Sequence, residues 1–224
     1  MGILDRLFGR RGPAADVSTP SKSIGDDAAW QKISSEQRMP CPIELVEESN
    51  ASGEVSEIYE AVKRALQVPE VPNIDKVLAH SLPALKGTTE LLGALYIGST
   101  LPQPVVSMLL YSISLARDCQ YCSSLHRLTC RMVGVDEDML VAIGNDPGSV
   151  TPERVQAIVN FGVKAAMSSG DLTRDDFEKL RDMGISDSEI VEIVALAGMG
   201  TYLNIIANAL KVEVDPMIKQ GLAG

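Results

Sequence analysis

Aromatic side chains are scarce in this chain, at 4% of 224 residues, whereas apolar residues of all kinds reach 45%. A core has to be built mainly from aliphatic side chains, a balance common in helical domains. One good-sized core, or two small ones, is within reach of that length. Positive charge is also in short supply: 20 Lys and Arg against 30 Asp and Glu leave a formal charge of −10. No nucleic acid partner is expected, because phosphate recognition draws on clustered Lys and Arg. No run of about 18 apolar residues stands out, so no stable membrane insertion is expected. Strand-like alternation is missing over any useful length.

The start of the chain lacks a secretory signal. Its apolar stretch, Ile3 to Phe8, is short and broken by Asp5 and Arg6, and no small-residue cleavage site follows. Arg6 departs from the Ser or Thr of a myristoylation signal. Residues 1–42 are rich in Ser, Asp, Gly, Pro and Ala and read as a flexible N-terminal tail rather than a surface anchor. Without an export signal the expected location is cytoplasmic. The four cysteines would stay reduced there, which favours catalytic or metal-binding roles over structural disulfides.

Residues 43–224 read as a single all-α domain. Val55, Ile58, Tyr59, Val62 and Leu66 fall at helical spacing, and Pro69 and Pro72 end that helix. Asn73 is expected to cap the next helix, which carries Ile74, Val77 and Leu78 toward His80. Leu82 to about Ser99 is helical, Pro102 and Pro104 interrupt, and Val105 to Ala116 is apolar almost throughout, hence buried on several sides. Asp118 opens a segment that runs to about Val133 and stops at Gly134. Helices follow from Asp136, from Thr151-Pro152-Glu153 with proline at the first position, from about Asp171, and from Ser186. The last long helix, Ile190 to about Leu210, is dense in Gly and Ala. That surface predicts close helix approach and a homo-oligomer.

Chemistry concentrates in Asp118-Cys119-Gln120-Tyr121-Cys122-Ser123-Ser124-Leu125-His126. On a helix, Cys119 and Cys122 lie one turn apart on one side, as do Cys122 and His126. Peroxide chemistry uses such a set: a thiolate attacks oxygen, and a neighbouring thiol captures the sulfenic acid. The helix start favours an anion, which points to Cys119 as the more easily ionised thiol. A metal is the chemical rival, since Cys119, Cys122, His126 and Cys130 share one helical face. Cys119 and Cys130 would lie more than about 16 Å apart along the axis, too far for one ion holding ligands at about 2.0–2.3 Å. No metal or cofactor is expected. Cys130 is assigned to core packing, Cys41 to a structural or incidental thiol, and His80 to packing or capping.

These residues resemble the AhpD-like alkylhydroperoxidase and peroxidase-related branch of the carboxymuconolactone decarboxylase-like superfamily. The resemblance spans roughly residues 54–215. It rests on Val71-Pro72-Asn73-Ile74, Leu78-Ala79-His80-Ser81, the Cys119-Gln120-Tyr121-Cys122 motif with His126, Leu180 to Asp187, and Tyr202 to Leu210. It implies an all-helical fold, oligomerisation through helices, and a thiol peroxidase or disulfide reductant that takes peroxide and an external thiol donor. By position, Cys122 is the attacking thiol, Cys119 the resolving thiol, and His126 a member of the proton relay. Two positions depart: Ser107 stands where the relay has glutamate, and Tyr121 where a histidine is common. Glu90 is a conceivable stand-in carboxylate. The alternative to an enzyme is a non-catalytic redox sensor or oligomeric scaffold of the same fold, with decarboxylase chemistry a distant third.

Overall fold

A computed structural model describes residues 40–146 and 150–223. The proposed tail lies outside it up to residue 39, while Cys41, Ile43 and Leu45 pack against the main core. That arm is held by hydrogen bonds: Tyr59 Oη donates to the Val46 carbonyl at 2.8 Å, and the Val46 N–H donates to the Lys76 carbonyl at 3.1 Å.

Among the described residues, ten α-helices and no strands are found, as the all-helical expectation required. They are α1 (Gly53–Leu66), α2 (Asn73–Leu78), α3 (Leu82–Leu92), α4 (Gln103–Ala116), α5 (Gln120–Met132), α6 (Glu137–Asn145), α7 (Glu153–Ser168), α8 (Arg174–Asp182), α9 (Asp187–Ala209) and α10 (Pro216–Ala223). A single π-helical turn, Gly93–Ile97, extends α3. The short α10 carried no sequence expectation.

Four starts carry side-chain caps, from Cys119, Asp136, Thr173 and Ser186. Thr173 with Asp176, and Ser186 with Glu189, form complete capping boxes at α8 and α9, each satisfying two otherwise unpaired backbone donors. Two starts differ from expectation. Pro72, not Asn73, is the cap of α2. The Asn73 side chain donates instead to the Glu213 carbonyl at 3.0 Å, a long-range partner invisible in local sequence. Pro152 likewise occupies the cap of α7 rather than its first helical position.

Helix α4 is the central element, with ten consecutive buried residues from Val105 to Ser114, and α5, α7 and α9 pack around it. Glycine permits the closest approaches. A Cβ on Gly162 of α7 would stand 2.3 Å from Leu109 of α4, and one on Gly200 of α9 would stand 3.0 Å from Leu110. A second cluster joins Met108, Tyr111, Cys130, Leu140, Ile143 and Val159. Cys130 is thus a core residue, as expected.

Helix α9 corrects one reading. An 18-residue window within it has a mean hydropathy of 1.8, so by length and composition it is apolar enough to cross a membrane. One stripe of it packs in the bundle, with Ile193, Leu196, Met199 and Leu203 buried, and half of the window is buried.

Candidate active site

The turn from α4 to α5 builds the site. Asp118 adopts a left-handed conformation (φ 49°), which Asp tolerates better than most side chains. It thereby ends α4 in the manner of a left-handed helix cap. The Cys119 N–H donates to the Ser114 carbonyl at 2.9 Å, closing that turn. From α9, Asn208 Nδ2 donates to the carbonyls of Arg117 and Asp118 at 3.3 and 3.4 Å, tying the turn to a second helix.

Cys119 therefore leaves the turn in extended conformation as the cap of α5 rather than as a residue within it. Its sulfur accepts the Cys122 backbone N–H at 3.4 Å. A cysteine is filling the role that Ser, Thr, Asp or Asn usually fills, at the end of the helix where partial positive charge gathers. Both Cys119 and Cys122 are buried and reduced.

The Cys122 thiol is pushed well above its usual pKa. The hydrogen bond with Cys119 is the largest cause, followed by burial and the Cys119 charge, while a hydrogen bond from Asn204 acts in the opposite direction. His126 sits one turn beyond Cys122 and is buried. Burial alone holds its pKa down to about 4, so the ring is neutral near pH 7. Its Nδ1 has no hydrogen-bond partner, and the Tyr96 ring from the π-helical turn lies 6.4 Å away, tilted by 52°. Such turns recur at functional sites.

Ser107 is fully buried on α4 with an unpartnered Oγ, so a neutral hydroxyl stands where the resemblance has a carboxylate. Glu90 acts on Lys86, one turn away on α3. His80 is exposed, and its Nε2 is hydrogen-bonded to the Glu44 carbonyl at 2.8 Å, a tether to the N-terminal arm in place of the packing or capping expected of it. Cys41 Sγ donates to the Ile43 carbonyl at 3.1 Å.

Tyr121 lies beside a buried acidic pair that sequence reasoning missed. The pair comprises Asp75 of α2 and Asp215, whose Oδ1 accepts the Asn73 N–H at 2.7 Å. The Tyr121 hydroxyl acts on Asp215, yet neither it nor Asp215 Oδ2 makes a hydrogen bond of ordinary geometry. Burial and the Asp215 charge push the Asp75 carboxyl up to about 7. A cavity of about 230 Å³ opens nearby, lined by Gln120, Tyr121, Asn208, Lys211 and Lys219 among others.

Asn204 was also missed as a site residue. It is the one polar side chain in the buried stripe of α9, and that interruption of an apolar face was the available signal.

No family model matches the sequence, and no curated protein matches it. Solved structures do. The chain is similar to an uncharacterised peroxidase-related protein with an alkylhydroperoxidase AhpD core from Ralstonia eutropha JMP134 (TM-score 0.71, 22% identity, 81% of this chain and 93% of that one). It is similar to an uncharacterised peroxidase-related protein from Silicibacter sp. TM1040 (0.70, 22%, 82% and 97%). It is also similar to the debrominase Bmp8 (0.69, 17%, 83% and 98%). The fold is AhpD-like.

Proposed function

We propose that this AhpD-like chain is a thiol-dependent peroxidase of the alkylhydroperoxidase type, cycling Cys119 and Cys122 between dithiol and disulfide. One observation carries the reading: the Cys119 sulfur caps α5 and meets both the backbone N–H and the thiol of Cys122. A dithiol in hydrogen-bonded contact at a helix start is arranged to share one proton and to close into a disulfide.

In the cycle, the Cys119 thiolate takes the Cys122 proton as the Cys122 sulfur attacks the terminal peroxide oxygen. The S–O bond forms, the O–O bond breaks, and alkoxide leaves to be protonated to the alcohol. The Cys119 sulfur then attacks the Cys122 sulfenic acid, and the S–S bond forms as hydroxide leaves with the Cys119 proton as water. An external thiol donor returns two electrons to the disulfide. His126 joins the proton relay: a neutral imidazole whose Nδ1 is unpartnered can gain a proton on one nitrogen as it releases one from the other. We place this chemistry in the cytoplasm, where thiol donors are maintained.

Thiol counting by mass spectrometry, before and after one equivalent of an organic hydroperoxide, tests the reading. Rapid loss of two thiols with a Cys119–Cys122 crosslink is expected. Slow oxidation spread over all four cysteines would sink it. The same fold hosts a debrominase, so this assay decides the reaction class where the fold does not.

A second reading, a redox-sensing scaffold, draws on the exposed face of α9. Val191, Val194, Tyr202 and Ile205 are exposed at intervals of three, eight and three residues, and Gly198 between them faces open space. An apolar stripe of this kind fits a homo-oligomer. Light scattering on reduced and oxidised protein separates the cases. A peroxidase gives the same oligomer in both states, and Val191→Glu with Ile205→Glu dissociates it. A redox-dependent change of assembly without peroxide consumption would favour the sensor, and a monomeric wild type would remove the oligomer altogether.

A further inference from the structure

We propose that Tyr96 is the specificity-determining residue of the site: its ring forms the outer wall over His126 and Cys122 and restricts them to small, slender peroxides. The wall stands on geometry alone. The restriction to small peroxides deepens the peroxidase reading and rests on it.

The two thiols and His126 are closed off on nearly every side. Cys119 is 0% exposed, Cys122 2% and His126 7%, so the opening to solvent lies on the His126 side. The cavity beside Gln120 has neither thiol in its lining. Tyr96 stands against His126, its ring centroid 6.4 Å away and its plane tilted by 52°, within the range of aromatic contact. Because Tyr96 is itself half-buried, it meets His126 on one side and solvent on the other.

The backbone beneath the ring is held in place from three directions. Gly93–Ile97 is π-helical, and the Gly98 N–H donates to the Gly93 carbonyl at 3.0 Å to close the turn. A Cβ on Gly98 would stand 2.6 Å from the Ala94 carbonyl oxygen, so glycine lets this turn close. From the start of α4, Gln103 Nε2 donates to the Tyr96 carbonyl at 3.0 Å. From α9, Glu192 accepts the hydroxyls of Ser99 and Thr100 and the Thr100 N–H, the last at 2.8 Å. These bonds fix the backbone that carries Tyr96, and none of them grips the ring. Rotation of the side chain can therefore widen the opening without breaking a tether. A hydroperoxide with a narrow alkyl group passes such a ring more easily than one with a tertiary aryl group.

The test labels the reduced full chain with iodoacetamide, a slender reagent, and N-phenylmaleimide, a bulky one. Peptide mass spectrometry reads each cysteine separately. Cys130, 0% exposed in the second cluster, reports general opening of the fold. Tyr96→Ala is expected to raise the bulky-to-slender labelling ratio at Cys122 about tenfold, with Cys130 unchanged, the order at which a pocket wall discriminates by size. Tyr96→Phe keeps the ring and is expected to keep the wild-type ratio. Glu192→Gln loosens the tether, leaves Tyr96 in place and is expected to give a smaller rise, which decides the matter should Tyr96→Ala not fold. An unchanged ratio at Cys122, a rise matched at Cys130, or a Phe variant that behaves like the Ala variant overturns the inference. Peroxide consumption tests the substrate class: the preference for ethyl over cumene hydroperoxide is expected to fall about tenfold in Tyr96→Ala. An unchanged preference overturns the restriction to small peroxides. A labelling ratio that moves in a protein whose unsubstituted form consumes neither peroxide overturns the peroxidase reading and that restriction, and leaves the wall standing.

Discussion

Replacing Cys122 with serine is expected to reduce peroxide consumption to background, a loss of at least about a hundredfold, because the hydroxyl cannot form the sulfenic acid. Cys119→Ser should behave differently. Its hydroxyl keeps an acceptor at the cap of α5, so the helix start survives. The first turnover proceeds, but no thiol resolves the oxidised Cys122. The expected product is sulfenic acid or a mixed disulfide with the donor, visible as a mass increase on Cys122 with one turnover at most. Removing Cys119 also removes the main influences that push the Cys122 thiol up. That easier ionisation works against the loss of Cys119 as proton acceptor, and the first turnover is retained at a lower rate. Peroxide consumption at the wild-type rate in both variants would rule the cycle out. Sustained turnover in Cys122→Ser alone would exchange the roles of the two cysteines.

Asp75→Asn is expected to stabilise the fold at pH 8 and to lose that advantage by pH 4. Folding holds the Asp75 carboxyl near 7 against an ordinary value of 3.8, because it is buried close to Asp215. Between those values the folded state keeps a proton that the unfolded chain has released. Stability conferred by this group is thus full below about pH 4, falls as pH rises through 7, and is constant above. His126 works in the opposite sense, since its folded value is depressed to about 4. The unfolded chain binds that proton first as pH falls below the usual range, so stability declines toward acid. The difference between wild type and Asp75→Asn isolates the carboxylate from this opposing slope. Urea unfolding at the two pH values measures it, and a gain of about 2 kcal/mol at pH 8 is expected, part of the full linkage of roughly 1.4 kcal/mol per unit. A variant less stable than wild type at pH 8 would mean that the charged carboxylate is favourably paired and the argument is wrong.

Local chemistry was legible in the amino-acid sequence by itself. Apolar spacing and capping residues determined the helices, because backbone hydrogen bonds and side-chain caps act within a few residues. The CxxC spacing with His126 located the thiols for the same reason. Tertiary structure decided what those groups face. Asn73 left its expected cap for the Glu213 carbonyl, and Cys119 became the cap of α5 once Asp118 ended α4. Asn204 reached Ser114 across 90 positions, and Asp75 came beside Asp215 across 140. Periodicity marked α9 as apolar, but only packing showed that one stripe is core and the other exposed. Burial, charge proximity and unpartnered atoms are properties of the packed chain, and no local pattern carries them.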